Sequence, residues 1–150
     1  MANTFTQLYV QIVFSTKNRE KILKKSFRDE VFKYIAGIVN NKSQKSLAVN
    51  GTSDHIHIFL SLKPNIALSD LVRDIKHFST DFINENEFIP AKFYWQSGYG
   101  AFTYSHSHID KVIQYILNQE EHHRIRTFKE EYLELLNKFN VEYDLKYVFD

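Results

Sequence analysis

The chain has 150 residues, of which 43% are hydrophobic and 15% aromatic, values typical of one ordered globular domain over residues 1–150. It contains no cysteine, which excludes disulfides, thiolate catalysis and cysteine-ligated zinc. The formal net charge is only +1, yet residues 1–50 hold nine Lys and Arg against three Asp and Glu, so positive charge is concentrated there.

The first half of the chain alternates predicted strands and helices. Nearly continuous β-branched and aromatic residues predict a central strand over residues 8–14. Apolar residues at helical spacing predict helices over 27–40 and 66–84. Between them, a short strand over 47–50, a Gly-Thr-Ser turn and a strand over 54–62 predict a hairpin.

The hairpin's second strand carries two histidines in strict alternation with apolar residues. Ile56, Ile58 and Leu60 alternate with His55 and His57, the period-two pattern of a half-buried strand. Successive side chains point to opposite faces, so both imidazoles emerge on one face, about 6.5 Å apart along the strand. Two such rings can converge on one metal ion, although a polar strand face is the simpler interpretation of the pair alone.

The second half adds a predicted strand over 92–96, a short segment over 101–104, and helices over 108–122 and 128–140. The tail over 141–150 is expected to add a strand or pack against a partner. The order β-α-β-β-α-β predicts an α+β fold with a ferredoxin-like split β-α-β antiparallel sheet and helices on one face. The helix over 108–122 and a final helix follow it.

The helix over 108–122 contains Tyr115 and Gln119, which lie one turn apart on the same face. This spacing would let a phenol be offered to a substrate at the edge of the buried stripe. His122 and His123 are expected to form a polar helix end and not to be additional ligands.

These motifs together resemble a known family. Asp54-His55-Ile56-His57 is similar to the HUH motif of single-strand nucleases and transposases. Tyr115-Ile-Leu-Asn-Gln119 resembles the catalytic helix of the single-tyrosine transposases of the insertion sequence 200/605 group. The likeness continues through residues 14–19, 75–76, 95–99 and 143–150, and therefore spans nearly the whole chain.

The resemblance implies an enzyme that cleaves and rejoins single-stranded DNA at hairpin-bearing element ends. His55, His57 and Gln119 would be ligands of a divalent metal, Mg²⁺ or Mn²⁺, and Tyr115 the nucleophile that forms a 5′-phosphotyrosine link. Imidazole favours transition ions, so we expect Mn²⁺ to bind more tightly than Mg²⁺. No nucleotide cofactor is needed, because the covalent link preserves the energy of the phosphodiester bond.

Further expectations concern DNA contacts and assembly. Lys17, Arg19 and Lys76 are candidates for phosphate contacts, and Tyr99 and Phe102, with Trp95, for stacking on unpaired bases. Core packing is the more natural fate of Trp95. The resemblance implies a homodimer, with Tyr115 acting on the histidines of its own chain or of the partner.

The cell compartment is predicted from missing sequence signals. No apolar run approaches the ~18 residues of a membrane span, and residues 1–14 do not read as a signal peptide. The expected location is therefore the cytoplasm of a prokaryote, in association with the nucleoid when DNA is bound, with no membrane contact.

Three alternatives remain open at this point. A host-kept relative that processes repeated hairpins would share the chemistry and differ in its substrate. A non-catalytic ferredoxin-like module could bind single-stranded nucleic acid through aromatic stacking, but this leaves the paired histidines, Tyr115 and Gln119 unexplained. A purely structural metal module is the weakest, because two histidines and an amide make a poor closed site.

Overall fold

Side chains along the two central strands point alternately to the two faces of the sheet. One face is apolar, and the other carries both apolar and polar side chains. The computed structural model describes residues 3–123 and 125–150. Its four antiparallel strands lie in the order β2-β3-β1-β4. They are β1 (Tyr9–Ser15), β2 (Lys45–Gly51), β3 (His55–Ser61) and β4 (Gly100–Tyr104).

The described parts of the chain contain five α-helices. These are α1 (Arg28–Asn41), α2 (Leu68–Glu85), α3 (Ile109–Leu117), α4 (Gln119–His123) and α5 (Phe128–Lys138). The element order and the antiparallel sheet confirm the predicted α+β, split β-α-β fold. Among the helices described, none has the length and apolar character needed to cross a membrane.

One face of the sheet is covered by α1 and α2. Ile12 of β1 and Ile56 and Ile58 of β3 are fully buried there against Val31 of α1 and Ile75 of α2. This is the largest of the apolar clusters. It contains the residues whose periodicity predicted β1, β3, α1 and α2.

The opposite face is covered by α3 and α5. Phe59 of β3 packs with Val112 and Ile116 of α3, whereas Val13 of β1 packs with Phe128 and Leu135 of α5. Because the two histidines share the face of Phe59, these helices enclose them.

The predicted fourth strand over residues 92–96 is wrong. The strand that pairs with β1 is β4, with Val13 opposite Gly100 and Tyr9 opposite Tyr104. Trp95 makes only an isolated bridge with Thr16, further along the same edge of β1. Between them the Ser15 amide donates to the Gln96 side-chain oxygen at 2.8 Å and not to a strand backbone, and the Lys76 ammonium group binds the carbonyl oxygens of residues 96–98.

The predicted helix over 108–122 is divided in two at Asn118, whose ψ is 24°. The Asn50 side-chain amide in β2 donates hydrogen bonds to the carbonyl oxygens of Ile116 and Leu117, at 3.0 and 3.1 Å. These carbonyls lie at the end of α3, where intrahelical partners are missing, and Gln119 begins the next helix.

Candidate metal and nucleophile site

His55 lies at the start of β3, fully buried, with a carboxylate behind it. Its Nδ1 is 2.8 Å from Asp54 Oδ1 and 3.0 Å from Thr52 Oγ1. Burial alone would raise the pKa of Asp54, but the hydrogen bond and charge of His55 outweigh it and hold that pKa below its ordinary value. A carboxylate on Nδ1 directs the Nε2 lone pair into the site.

His57 is also fully buried and is supported from β1 and β4. Its Nδ1 is 2.8 Å from Gln11 Nε2, and the Tyr104 hydroxyl donates to Gln11 Oε1 at 2.6 Å. Burial lowers the pKa of His57, a shift that Glu131 partly offsets. The neutral ring is therefore favoured, as a metal ligand requires.

Gln119 approaches the histidines from the start of α4. Its Oε1 is 2.8 Å from His55 Nε2, although the two residues are 64 positions apart in sequence. An amide oxygen and an imidazole lone pair are both acceptors, so this short distance requires a proton or a cation between them.

Tyr115 lies at the rim of the same pocket on α3. Its ring centroid is 5.9 Å from that of His57, and its hydroxyl donates a hydrogen bond to Glu131 Oε2. Burial, reinforced by the negative charge of Glu131, raises the pKa of Tyr115 well above its ordinary value. The isolated chain therefore holds a protonated phenol at neutral pH.

The structure adds two groups that sequence reasoning missed, Glu131 of α5 and His123 of α4. Glu131 Oε1 is 2.9 Å from His57 Nε2 and 3.0 Å from His123 Nε2. His123 therefore turns into the site and is not the polar helix end that we expected. A sequence signal existed for Glu131, because it falls three residues after Phe128 and four before Leu135, on the apolar side of its helix.

The donor atoms fit a divalent cation. One donor atom from each of His55, His57 and Glu131 lies within 4.8 Å of the others, and Gln119 Oε1 adjoins them. Bonds of about 2.0–2.2 Å place neighbouring ligand atoms about 3 Å apart, close to the observed separations. Two imidazoles and two oxygen donors suit Mn²⁺ or another transition ion better than an all-oxygen site would.

The profile of the family described as "Transposase IS200 like" matches residues 4–119, which is more than half of the chain. The chain belongs to the IS200-like transposase family. A search of curated proteins finds no match.

Two solved structures share the fold of this transposase-family protein. A candidate transposase from Deinococcus radiodurans R1 superposes with a TM-score of 0.62 and 21% identity, covering 79% of this chain and 95% of its own. A REP-associated tyrosine transposase bound to a REP hairpin superposes with a TM-score of 0.60 and 14% identity, covering 82% and 73%. At these identities the likeness shows the fold alone.

The structure brings His55, His57, Tyr115 and Gln119 together within one chain of this transposase-family protein. The predicted DNA-contacting residues do not belong to this cluster. Lys17 is exposed, with its ammonium group over the ring of Tyr94, and Arg19 lies over the ring of Phe149.

Lys76, Tyr99 and Phe102 are engaged within the fold. Lys76 donates to backbone carbonyls and lies 5.8 Å from the Tyr99 ring centroid, and Tyr99 packs against the α1–α2 core. Phe102 is only 3% exposed and packs on Phe139, so a base could stack on it only if that packing opened. Trp95 is a core residue, as expected.

A pocket of about 730 Å³ opens beside His123 and Asp54. Among the described residues, six basic side chains line it, and Arg28 is buried and paired with Glu120 at 2.5 Å. The basic residues are Arg19, Lys21, Lys25, Arg28, Arg126 and Lys129. Three acidic residues, Asp54, Glu120 and Glu121, also line the pocket, so its charge balance is positive.

Proposed function

We propose that this transposase-family protein cleaves and rejoins single-stranded DNA at hairpin-bearing ends through a 5′-phosphotyrosine intermediate. One observation carries the proposal. Tyr115 and Gln119 meet His55 and His57 in a buried pocket, although the two pairs lie on different elements, about 60 residues apart. A non-catalytic binding module has no use for a phenol beside a divalent-cation site.

In this proposal His55, His57 and Gln119 hold Mg²⁺ or Mn²⁺. A bound divalent cation would neutralise the negative charge that grows on the phosphate oxygens as the transition state forms. Asp54 and Gln11 hold the two imidazoles in place from behind, which preserves ring orientation when substrate enters.

Tyr115 supplies the nucleophile. Its oxygen forms the new bond to phosphorus, the phosphorus–O3′ bond breaks, and the released 3′ oxygen takes up a proton. The phenol already donates to Glu131, so an acceptor for its own proton is in contact. Reversal of the same step by another 3′-OH would join two strands without ATP.

The basic pocket supports an approach by a polyanion. Its cationic side chains would hold the phosphates that flank the cleaved bond, and Arg19 is the one predicted DNA-contacting residue that lines it. A hairpin substrate is consistent with the similarity in fold to the REP-associated tyrosine transposase, which is bound to a REP hairpin.

The test uses hairpin oligonucleotides taken from the DNA that flanks the gene, incubated with protein and Mn²⁺. A 3′-labelled strand should become covalently attached to the wild-type protein, and a 5′-labelled strand should be released as a shorter free product. Tyr115→Phe should abolish attachment, because the phenolic oxygen is the atom that bonds to phosphorus.

Tyr34→Phe is the matched control, since Tyr34 lies on α1 and stacks on Phe82, away from the site. It should react like the wild type. Attachment that persists in Tyr115→Phe, or a protein bound to the 5′-labelled fragment, would contradict the proposal.

A further inference from the structure

Glu131 is a buried carboxylate that no part of the predicted ligand set explains. It lies on α5 and is 1% exposed, and burying an unpaired carboxylate costs several kcal/mol. Its carboxylate lies among three imidazoles, with Oε1 3.6, 2.9 and 3.0 Å from Nε2 of His55, His57 and His123.

The two oxygens of Glu131 face different partners. Oε1 is 2.9 Å from His57 Nε2 and 3.6 Å from His55 Nε2, the nitrogens that would bind the cation. Oε2 accepts the Tyr115 hydroxyl and lies 3.3 Å from Gln119 Nε2. One side chain thus touches both proposed histidine ligands, the amide ligand and the nucleophile.

The spacing around Oε1 is that of atoms sharing one ion. Ligands bound at about 2.1 Å lie about 3.0 Å apart at right angles and about 3.4 Å apart in a tetrahedron. The distances from Oε1 to the two histidine nitrogens bracket these values. Gln119 Oε1 lies 2.8 Å from His55 Nε2, so the amide oxygen adjoins the same point.

We infer that Glu131 is a further protein ligand of the divalent cation, through Oε1, and that its Oε2 positions the Tyr115 hydroxyl beside that cation. This inference rests on the proposed function for the presence of the cation. It assigns α5 a part in the site, because the helix delivers both the carboxylate and Phe128, whose ring stacks on His55 at 4.7 Å.

The added carboxylate changes the chemistry of the site. Two imidazoles and one amide are neutral and bind Mg²⁺ weakly, since Mg²⁺ prefers oxygen donors and charge. A charged oxygen ligand strengthens binding of Mg²⁺ and Mn²⁺ over that of softer ions. The site would then be a two-histidine, amide and carboxylate centre.

The test is calorimetric titration of Mn²⁺ into protein without DNA. It measures metal binding directly and does not depend on enzymatic activity. Glu131→Gln keeps the size and removes the charge, and it should weaken Mn²⁺ binding by at least about tenfold, the lower end of the effect of altering a metal site. Glu130→Gln is the matched control. Glu130 is exposed and belongs to the capping box of α5, which glutamine also satisfies. The Glu130→Gln variant should therefore bind Mn²⁺ with the affinity of the wild type.

The outcomes separate this inference from the proposed function. Wild-type affinity in Glu131→Gln, with binding lost in His57→Ala, would overturn the role of Glu131 and leave the metal-dependent mechanism intact. Absence of Mn²⁺ binding by the wild type would overturn both.

A second measurement needs no variant, and therefore does not depend on the folding of Glu131→Gln. In a crystal of the wild type grown with Mn²⁺, an anomalous peak within bonding distance of Glu131 Oε1 supports the assignment. A peak bound by the histidines and Gln119, but not by Glu131, overturns it.

Discussion

The ammonium group of Lys76 donates hydrogen bonds to three consecutive carbonyl oxygens, those of Gln96, Ser97 and Gly98, at 2.7 to 3.2 Å. Burial lowers the pKa of Lys76 from 10.5 to about 8. These contacts fix the segment between the Trp95 bridge and β4, so a role in the fold accounts for this lysine more directly than a DNA phosphate does.

The pKa of Lys76 predicts a pH dependence of stability. Between about pH 8 and 10.5 the unfolded chain keeps this proton and the folded chain loses it, so folding is favoured more strongly as the pH rises through that window. We expect the free energy of unfolding of wild type, measured relative to Lys76→Met, to increase from pH 8 to 10.5. Urea unfolding of both proteins at each pH measures this difference in free energy. A difference that does not change with pH would contradict the lowered pKa of Lys76.

Asp54 acts on the site through His55. Because its carboxylate lies 2.8 Å from Nδ1, the other nitrogen of that ring is turned towards Gln119 Oε1. The motif that predicted the histidine site therefore also contains the residue that orients the His55 ring. Asp54 is part of the motif on which the resemblance is based, but only the structure shows which nitrogen of His55 its carboxylate contacts.

At the scale of elements, the turn of the β2–β3 hairpin controls the position of His55. A Cβ atom at Gly51 would lie 2.1 Å from the backbone oxygen of His55, and the Thr52 amide donates to that same oxygen at 3.1 Å. Only glycine permits this close approach of the two chains.

Two glycine-to-alanine substitutions should have opposite effects on stability. Gly51→Ala forces the hairpin apart and should lower the free energy of unfolding by about 2–4 kcal/mol, as local strain does. Gly37→Ala lies within α1 with no atom within 4 Å of the new methyl group, and should raise it by about 0.5–1 kcal/mol. Urea unfolding measures both, and equal effects would show that the turn tolerates a side chain.

Elements whose periodicity spans a whole helix or strand were predictable from sequence. The hairpin, α1 and α2 follow directly from apolar spacing, and their bounds agree within two residues at most ends. The two elements whose bounds were predicted wrongly lie where a polar side chain, distant in sequence, donates hydrogen bonds to backbone carbonyls. Lys76 binds the carbonyls that follow Trp95, where strand pairing stops, and Asn50 binds those just before the helix break at Asn118. No local pattern signals a partner so far away in sequence.

The candidate site was predictable to a similar extent. The histidines, Tyr115 and Gln119 follow from pattern and resemblance, and the structure places them together. Glu131 was missed because its helix was interpreted by its apolar residues alone. A charged residue on the buried side of a helix is the signal that would have revealed it.

At the scale of the whole molecule, one chain contains every group of the proposed site. The Tyr115 hydroxyl reaches Glu131 of its own chain, and Glu131 reaches His57 of that chain. This arrangement favours assembly in cis, with or without the homodimer that the family resemblance implies.

Mixing two inactive variants tests cis assembly. Tyr115→Phe and His57→Ala chains, refolded together so that any dimers exchange, should show no covalent DNA attachment, since neither chain holds a complete site. Each variant alone and wild-type protein carried through the same refolding are the controls. Recovery of attachment in the mixture would demonstrate that a tyrosine serves the partner's histidines.

The separation of the sheet into two faces also has a practical consequence. Ile12, Ile56 and Ile58 pack with α1 and α2, whereas the chemistry lies under α3 and α5. Conservative substitutions among these isoleucines should therefore change heat resistance without removing any group of the proposed site. Separate sets of variants can thus probe stability and DNA processing in the same chain.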